Sequence, residues 1–207
     1  YKQLIAETPL LFSPGTSNRY SNSGMHMLGL VIEKVSGEDY YDYIEQHVYQ
    51  KANMPNSNSY ELDGITSNLA IGYLKKAHSD TWVNNHYTNG VKGGPGGGGY
   101  STIGDLHNFS QALTQFSLLS REMTEQAYSS KTEFNSPVWY GYGFIVSGEV
   151  GNRVVGHGGA TLGVDARLDI HLDTGIVVVV LANQNGVVAP VLRKINSLIA
   201  QLPQAAD

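Results

Sequence analysis

The sequence predicts an α+β protein. Three features carry that prediction: apolar residues at three- and four-residue spacing within 1–136, a change to two-residue alternation within 137–207, and an apolar-faced helix at the end. Region 1–136 is expected to be mainly helical and region 137–207 to hold antiparallel strands and the closing helix. A chain of 207 residues can bury a sizeable core, so the two regions are expected to form one folded unit.

From Met25, the residues Leu28, Val31, Ile32 and Val35 recur at helical spacing, with Asn22 or Ser23 available as N-cap and Gly37 as the stop. A second helix is expected over 38–51, burying Tyr40, Ile44 and Val48 and ending before Asn53-Met54-Pro55. Residues 56–99 read as mostly loop, and Gly93-Gly94-Pro95-Gly96-Gly97-Gly98-Gly99 is too glycine-rich for regular structure. Ser101 or Thr102 then caps a helix carrying Ile103, Leu106, Phe109 and Leu113, and Ser120-Arg121-Glu122-Met123 opens a short one.

After Pro137, one strand is expected through Trp139, Tyr140, Tyr142, Phe144 and Ile145. Val164, Ala166, Leu168, Ile170 and Leu172 alternate with Asp165, Arg167, Asp169 and His171, which predicts a strand with one buried and one solvated face. Asp173-Thr174-Gly175 supplies a hairpin turn. The continuous apolar run from Ile176 to Ala182 predicts a strand covered on both faces. A helix with Val187, Val188, Val191, Leu192, Ile195, Leu198, Ile199 and Leu202 on one face closes the chain.

Composition excludes several functions. A net charge of -5 with 15% charged residues leaves no basic footprint for nucleic acid. No apolar run reaches the roughly 20 residues that span a bilayer. The absence of cysteine excludes disulfides, thiol catalysis and thiolate metal sites. The seven histidines lack metal-site spacing, and His78 and His86 fall in polar loop sequence. Gly94 to Gly99 formally satisfies G-x-G-x-x-G, but it follows no apolar strand and no Gly-Lys-Ser/Thr occurs, so the run reads as a loop of close approach. No cofactor or metal is expected.

Tyr20-Ser21-Asn22 pairs a phenol with a carboxamide just before a helix, and His157-Gly158-Gly159 precedes the alternating strand. With Phe12-Ser13-Pro14-Gly15-Thr16, Leu28-Gly29, Val35-Ser36-Gly37, Gly97-Gly98-Gly99-Tyr100-Ser101-Thr102, Asp105, Asp173-Thr174-Gly175 and Val178 to Asn183, these segments resemble, in order, the C-terminal portion of the serine β-lactamase and penicillin-binding protein family. The branch is that of class C β-lactamases, D-Ala-D-Ala carboxypeptidase-like proteins and related esterases.

The resemblance implies a β-lactamase-like, DD-peptidase-like fold. It also implies acyl-enzyme hydrolysis of β-lactams, D-Ala peptides or esters by a serine, with a lysine one helical turn later. No lysine in the chain has a serine three positions before it. The chain is therefore expected to be an N-terminally incomplete portion of a longer parent, inactive by itself. A non-catalytic module that keeps the cleft and binds peptidoglycan fragments or another protein is the alternative.

By resemblance Tyr20 takes part in proton transfer, although a free phenol titrates near 10 and needs a neighbouring cation to act as a base. The plainer reading is a tyrosine packed beside a helix start. Asn22 is either an N-cap or, by resemblance, the amide that orients the substrate. His157 stands where the family has lysine, either lining the cleft or bonded to backbone at a strand end, with Gly158 and Gly159 letting a substrate lie against the strand. The N–H of Ala160 would complete an oxyanion hole. The resemblance further implies a periplasmic or cell-surface parent, and it leaves the 176–182 strand as an exposed edge open to a homodimer or strand swap.

Overall fold

The computed structural model describes residues 6–202. Helix α1 (Asn22–Ser36) is capped by Ser21, whose extended backbone lets its hydroxyl accept the Gly24 N–H at 3.1 Å. This corrects the expectation that Asn22 or Ser23 is the cap and releases the Asn22 side chain from that task. Gly37 ends the helix, its N–H donating to the Glu33 carbonyl. Leu28, Val31 and Val35 lie largely exposed, and the buried residue of α1 is Gly29.

The single helix expected over 38–51 is two pieces. A short α2 (Tyr40–Ile44), capped by Asp39, widens into a π-helical turn over Glu45–Tyr49. Tyr40, Ile44 and Val48 are half-buried. Residues 56–99 are not all loop: β1 (Tyr73–Lys75) and β2 (Trp82–Asn84) form a small antiparallel hairpin. Its contacts include the Lys76 N–H to the Thr81 carbonyl, a Lys75–Asp80 ion pair and the Lys75 ammonium over the Trp82 ring, so no apolar alternation announces it.

Helix α3 (Ile103–Thr114) is capped by Thr102, and α4 (Arg121–Ala127) by Ser120. The sheet then begins before Pro137. Strands β3 (Thr132–Asn135), β4 (Val138–Tyr140), β5 (Ile145–Ser147), β6 (Val154–Thr161), β7 (Val164–His171) and β8 (Val177–Ala182) pair antiparallel in sequence order. The strand expected through Trp139 and Ile145 is broken into β4 and β5, because Gly143 takes a φ of 83° in the turn between them.

Leu113, Ala127, Tyr128, Val146, Val155, Leu168 and Ile170 form the main core between α3, α4 and the sheet. Val177 and Val179 of β8 pack against it, while Val178 is buried on the opposite face. Helix α5 (Val188–Ile199), shorter than the apolar run that predicts it, packs on β7 and β8. Beyond the helix, Leu202 is exposed.

The polar row of β7 is not a solvated face. Asp169 and His171 are buried, Arg167 is ion-paired to Asp169 at 2.6 Å, and Asp165 accepts the N–H groups of Gly186 and Val188 at the start of α5. Alternation located the strand, but residues it assigns to water are buried or paired.

Asp105 ties the first turn of α3 to the segment after α2. It is 3% exposed and accepts the Asn56 N–H and the Ser57 hydroxyl, each at 2.7 Å. Burial alone would raise its pKa, but these hydrogen bonds outweigh burial and hold it below the ordinary value. Because the folded pKa is depressed, the stability from Asp105 is complete above the ordinary aspartate range near 4 and is lost as pH falls through the lower folded value. Replacing Asp105 by Ala should cost about 2–4 kcal/mol at pH 7. In urea unfolding, the gap between the variant and the parent sequence should narrow as the pH is taken below 4.

Candidate active site

Strand β6 is unevenly supported. Along β7 it is paired throughout, from Val154 to Thr161, whereas β5 reaches only Val154 to Gly156. His157 to Thr161 therefore line an open cleft of about 1120 Å³, whose other walls include Tyr20, Asn22, Tyr60, Tyr100 and the 96–99 glycines.

The two segments singled out in the sequence meet here. The ring centroid of Tyr20 lies 5.9 Å from that of His157, and Asn22 lines the same cleft. Tyr20 is 44% exposed, and its hydroxyl and the Asn22 carboxamide have no hydrogen-bond partner among the described residues. Gly158, Gly159 and Ala160 lie on the cleft wall, and a Cβ on Gly159 would meet nothing within 4 Å.

Two further residues complete the cluster. Tyr140, from β4, places its hydroxyl 3.0 Å from His157 Nε2, and its ring packs against Tyr20 and Phe134 at 6.0 and 5.7 Å. Phe134, from β3, meets Tyr20 edge-on at 6.5 Å. Both escaped the sequence reading because an aromatic residue in a strand signals packing by default. The Trp139-Tyr140-Gly141-Tyr142 run carried no further sign of which ring faces the cleft.

On its other side, His157 Nδ1 is 2.7 Å from the Gly158 carbonyl oxygen. The His157 ring thus contacts the backbone and lines the cleft at once. Burial, and secondly Tyr20, push the Tyr140 phenol up, and burial does the same for Tyr100. Each charged residue of the wall has a partner: Lys92 pairs with Glu61 at 3.1 Å and sits over the Tyr41 ring, Arg167 pairs with Asp169, and Asp165 holds backbone amides. No lysine or arginine stacks on Tyr20 among the described residues.

Asn22 is positioned by the glycine-rich loop. A Cβ on Gly96 would lie 3.2 Å from the Asn22 carbonyl oxygen and 2.8 Å from His26 Nε2, and a Cβ on Gly29 would lie 2.3 Å from Pro95 Cγ. The opposite rim is set by Asn185, whose amide donates to the Thr161 and Val164 carbonyls and whose oxygen accepts the Gly163 N–H. Those bonds fix the turn between β6 and β7. Asn185 lies beyond the segments that carry the resemblance, and its only sequence signal is an asparagine next to Gly186.

The α+β fold thus brings a tyrosine and an asparagine to face a glycine-bearing strand. Residues 2–201 match the family model described as Beta-lactamase, and the chain belongs to that family of hydrolases. Penicillin-binding protein 4* of Bacillus subtilis is 30% identical over 84% of this chain and 41% of its own length. The penicillin-binding protein of Bacillus halodurans superposes with a TM-score of 0.89 at 30% identity, covering 95% of this chain and 62% of that one. The octameric penicillin-binding protein homologue of Pyrococcus abyssi follows with a TM-score of 0.80 at 25% identity, covering 94% and 45%. This chain therefore spans less than two thirds of these relatives.

Packing of α1 on the loop leaves no room for a methyl group at Gly29. Gly29→Ala should lower stability by about 1–3 kcal/mol, read from thermal or urea unfolding. The same variant should shift the backbone NMR signals of the 93–99 loop and of Asn22.

Proposed function

We propose that this chain supplies the tyrosine, the asparagine and the cleft strand of a serine acyl-transfer site whose nucleophile and lysine are contributed from outside its 207 residues. The observation that carries the reading is the convergence of Tyr20 and Asn22 with His157, Gly158, Gly159 and Ala160 on one cleft. In this reading Tyr20 moves the proton of the attacking serine once a lysine beside it favours the phenolate, and Asn22 orients the substrate amide. The half-supported strand receives the substrate backbone, and the Ala160 N–H stabilises the oxyanion. The penicillin-binding relatives support a β-lactam, D-Ala peptide or ester as the acyl donor.

A fluorescent penicillin or an active-serine phosphonate should label the full-length parent and not the 207-residue chain. Labelling of the short chain, or its absence from the parent, would overturn the reading. Tyr20→Phe in the parent should lower kcat by about 10²–10⁴-fold. The lack of Ser-x-x-Lys favours the second reading, a binding module, only if the parent takes up peptidoglycan fragments without being labelled.

We also propose that the outer edge of β8 pairs with a further strand. Among the described residues β8 pairs along its length only with β7, and Val177 to Ala182 carry no charge or proline to deter strand addition. Light scattering of the chain should show a dimer or larger species; a monomer at all concentrations would count against the edge.

A further inference from the structure

Tyr140 was marked by no motif, yet it is the group that completes the hydrogen bonding of His157. The Gly158 oxygen, 2.7 Å from Nδ1, is a carbonyl and can only accept, so Nδ1 carries a proton. In its neutral form the ring then has no second N–H, which leaves Nε2 bare and makes the Tyr140 O–H, 3.0 Å away, its donor. Tyr140 is itself held in place, through its β4 pairing with Thr132 and Ile145 and by the Phe134 and Tyr20 rings. Its burial keeps the phenol protonated at neutral pH.

With that proton committed, Tyr140 Oη has only lone pairs left for the cleft, and His157 has no N–H to give. The charged groups around them are also engaged: Lys92 with Glu61, Arg167 with Asp169, and Asp165 with the amides of Gly186 and Val188. We infer that Tyr140 is a positioning residue that, together with the Gly158 carbonyl, locks His157 as the neutral Nδ1–H tautomer, so that this wall accepts an uncharged N–H or O–H of an acyl substrate rather than holding a substrate carboxylate. The inference rests on the acyl-transfer reading for its substrate but not for the state of the ring.

The test is ¹⁵N NMR of the histidine rings in the 207-residue chain at neutral pH, with His157→Gln identifying the His157 signals. The expected spectrum has one protonated and one bare ring nitrogen, the protonated one being Nδ1. Tyr140→Phe leaves the Gly158 carbonyl as the ring's remaining partner and should narrow this separation, moving both signals part of the way toward the average of exchanging tautomers. A packing role alone would leave the tautomer unchanged. Sodium acetate, the carboxylate probe, should leave the ring neutral where an equal ionic strength of sodium chloride does. An Nε2–H tautomer, an unchanged ring in Tyr140→Phe, or a saturable conversion to imidazolium by acetate would each overturn the inference. Should Tyr140→Phe fail to fold, the ring state of the parent sequence and the acetate titration decide it. Neither result depends on whether the full-length parent is labelled by penicillin, so the two readings fail separately.

Discussion

The cleft exists because β6 is longer than the strand beside it. Val154 to Gly156 are paired on both sides, but beyond Gly156 only β7 supports the strand, and the backbone of His157 to Thr161 lines open space. Backbone donors and acceptors left without a strand partner are satisfied by water or by a ligand that adds to the edge. The rest of the molecule keeps that half-strand straight. The β7 ladder and the Asn185 clamp hold one side, and the core under Val155, Leu168 and Ile170 holds it from beneath.

Across the cleft, the geometry is fixed by close approach rather than by strong bonds. Gly29 lets Pro95 touch α1, and the loop that Pro95 belongs to passes against Asn22 and His26. Because Ser21 caps the helix, the Asn22 carboxamide is left facing the cleft. A side chain at either glycine would push the wall away by more than the few tenths of an ångström that packed interiors tolerate.

Electrostatically, the cleft wall is quiet. Lys92 and Arg167 are ion-paired, and Asp165 is held by backbone amides; Tyr140 and Tyr100 are displaced toward the neutral phenol by burial. Proton transfer through Tyr20 requires a cation near its hydroxyl, and no lysine or arginine of the described residues stacks on its ring.

The sequence by itself determined the element types, the capped starts of α3 and α4, the strand alternation of β7 and the ordered motifs that mark the family. These are local signals, written in spacing and in turn residues. It did not determine the β1–β2 hairpin, whose contacts include backbone bonds, an ion pair and a lysine over a tryptophan ring, or the break between β4 and β5. It also misjudged the polar row of β7, because alternation reports which face differs and not what covers it: Asp169 and His171 are buried, and Asp165 accepts amides at the start of α5. Tyr20 and His157 were each singled out as candidates in the sequence, but their approach to 5.9 Å and the contact of the Tyr140 hydroxyl with His157 were decided only in three dimensions. The reason is physical: a hydrogen bond between side chains on β4 and β6, which flank β5, depends on register and twist, and neither leaves a mark on the residues that make it.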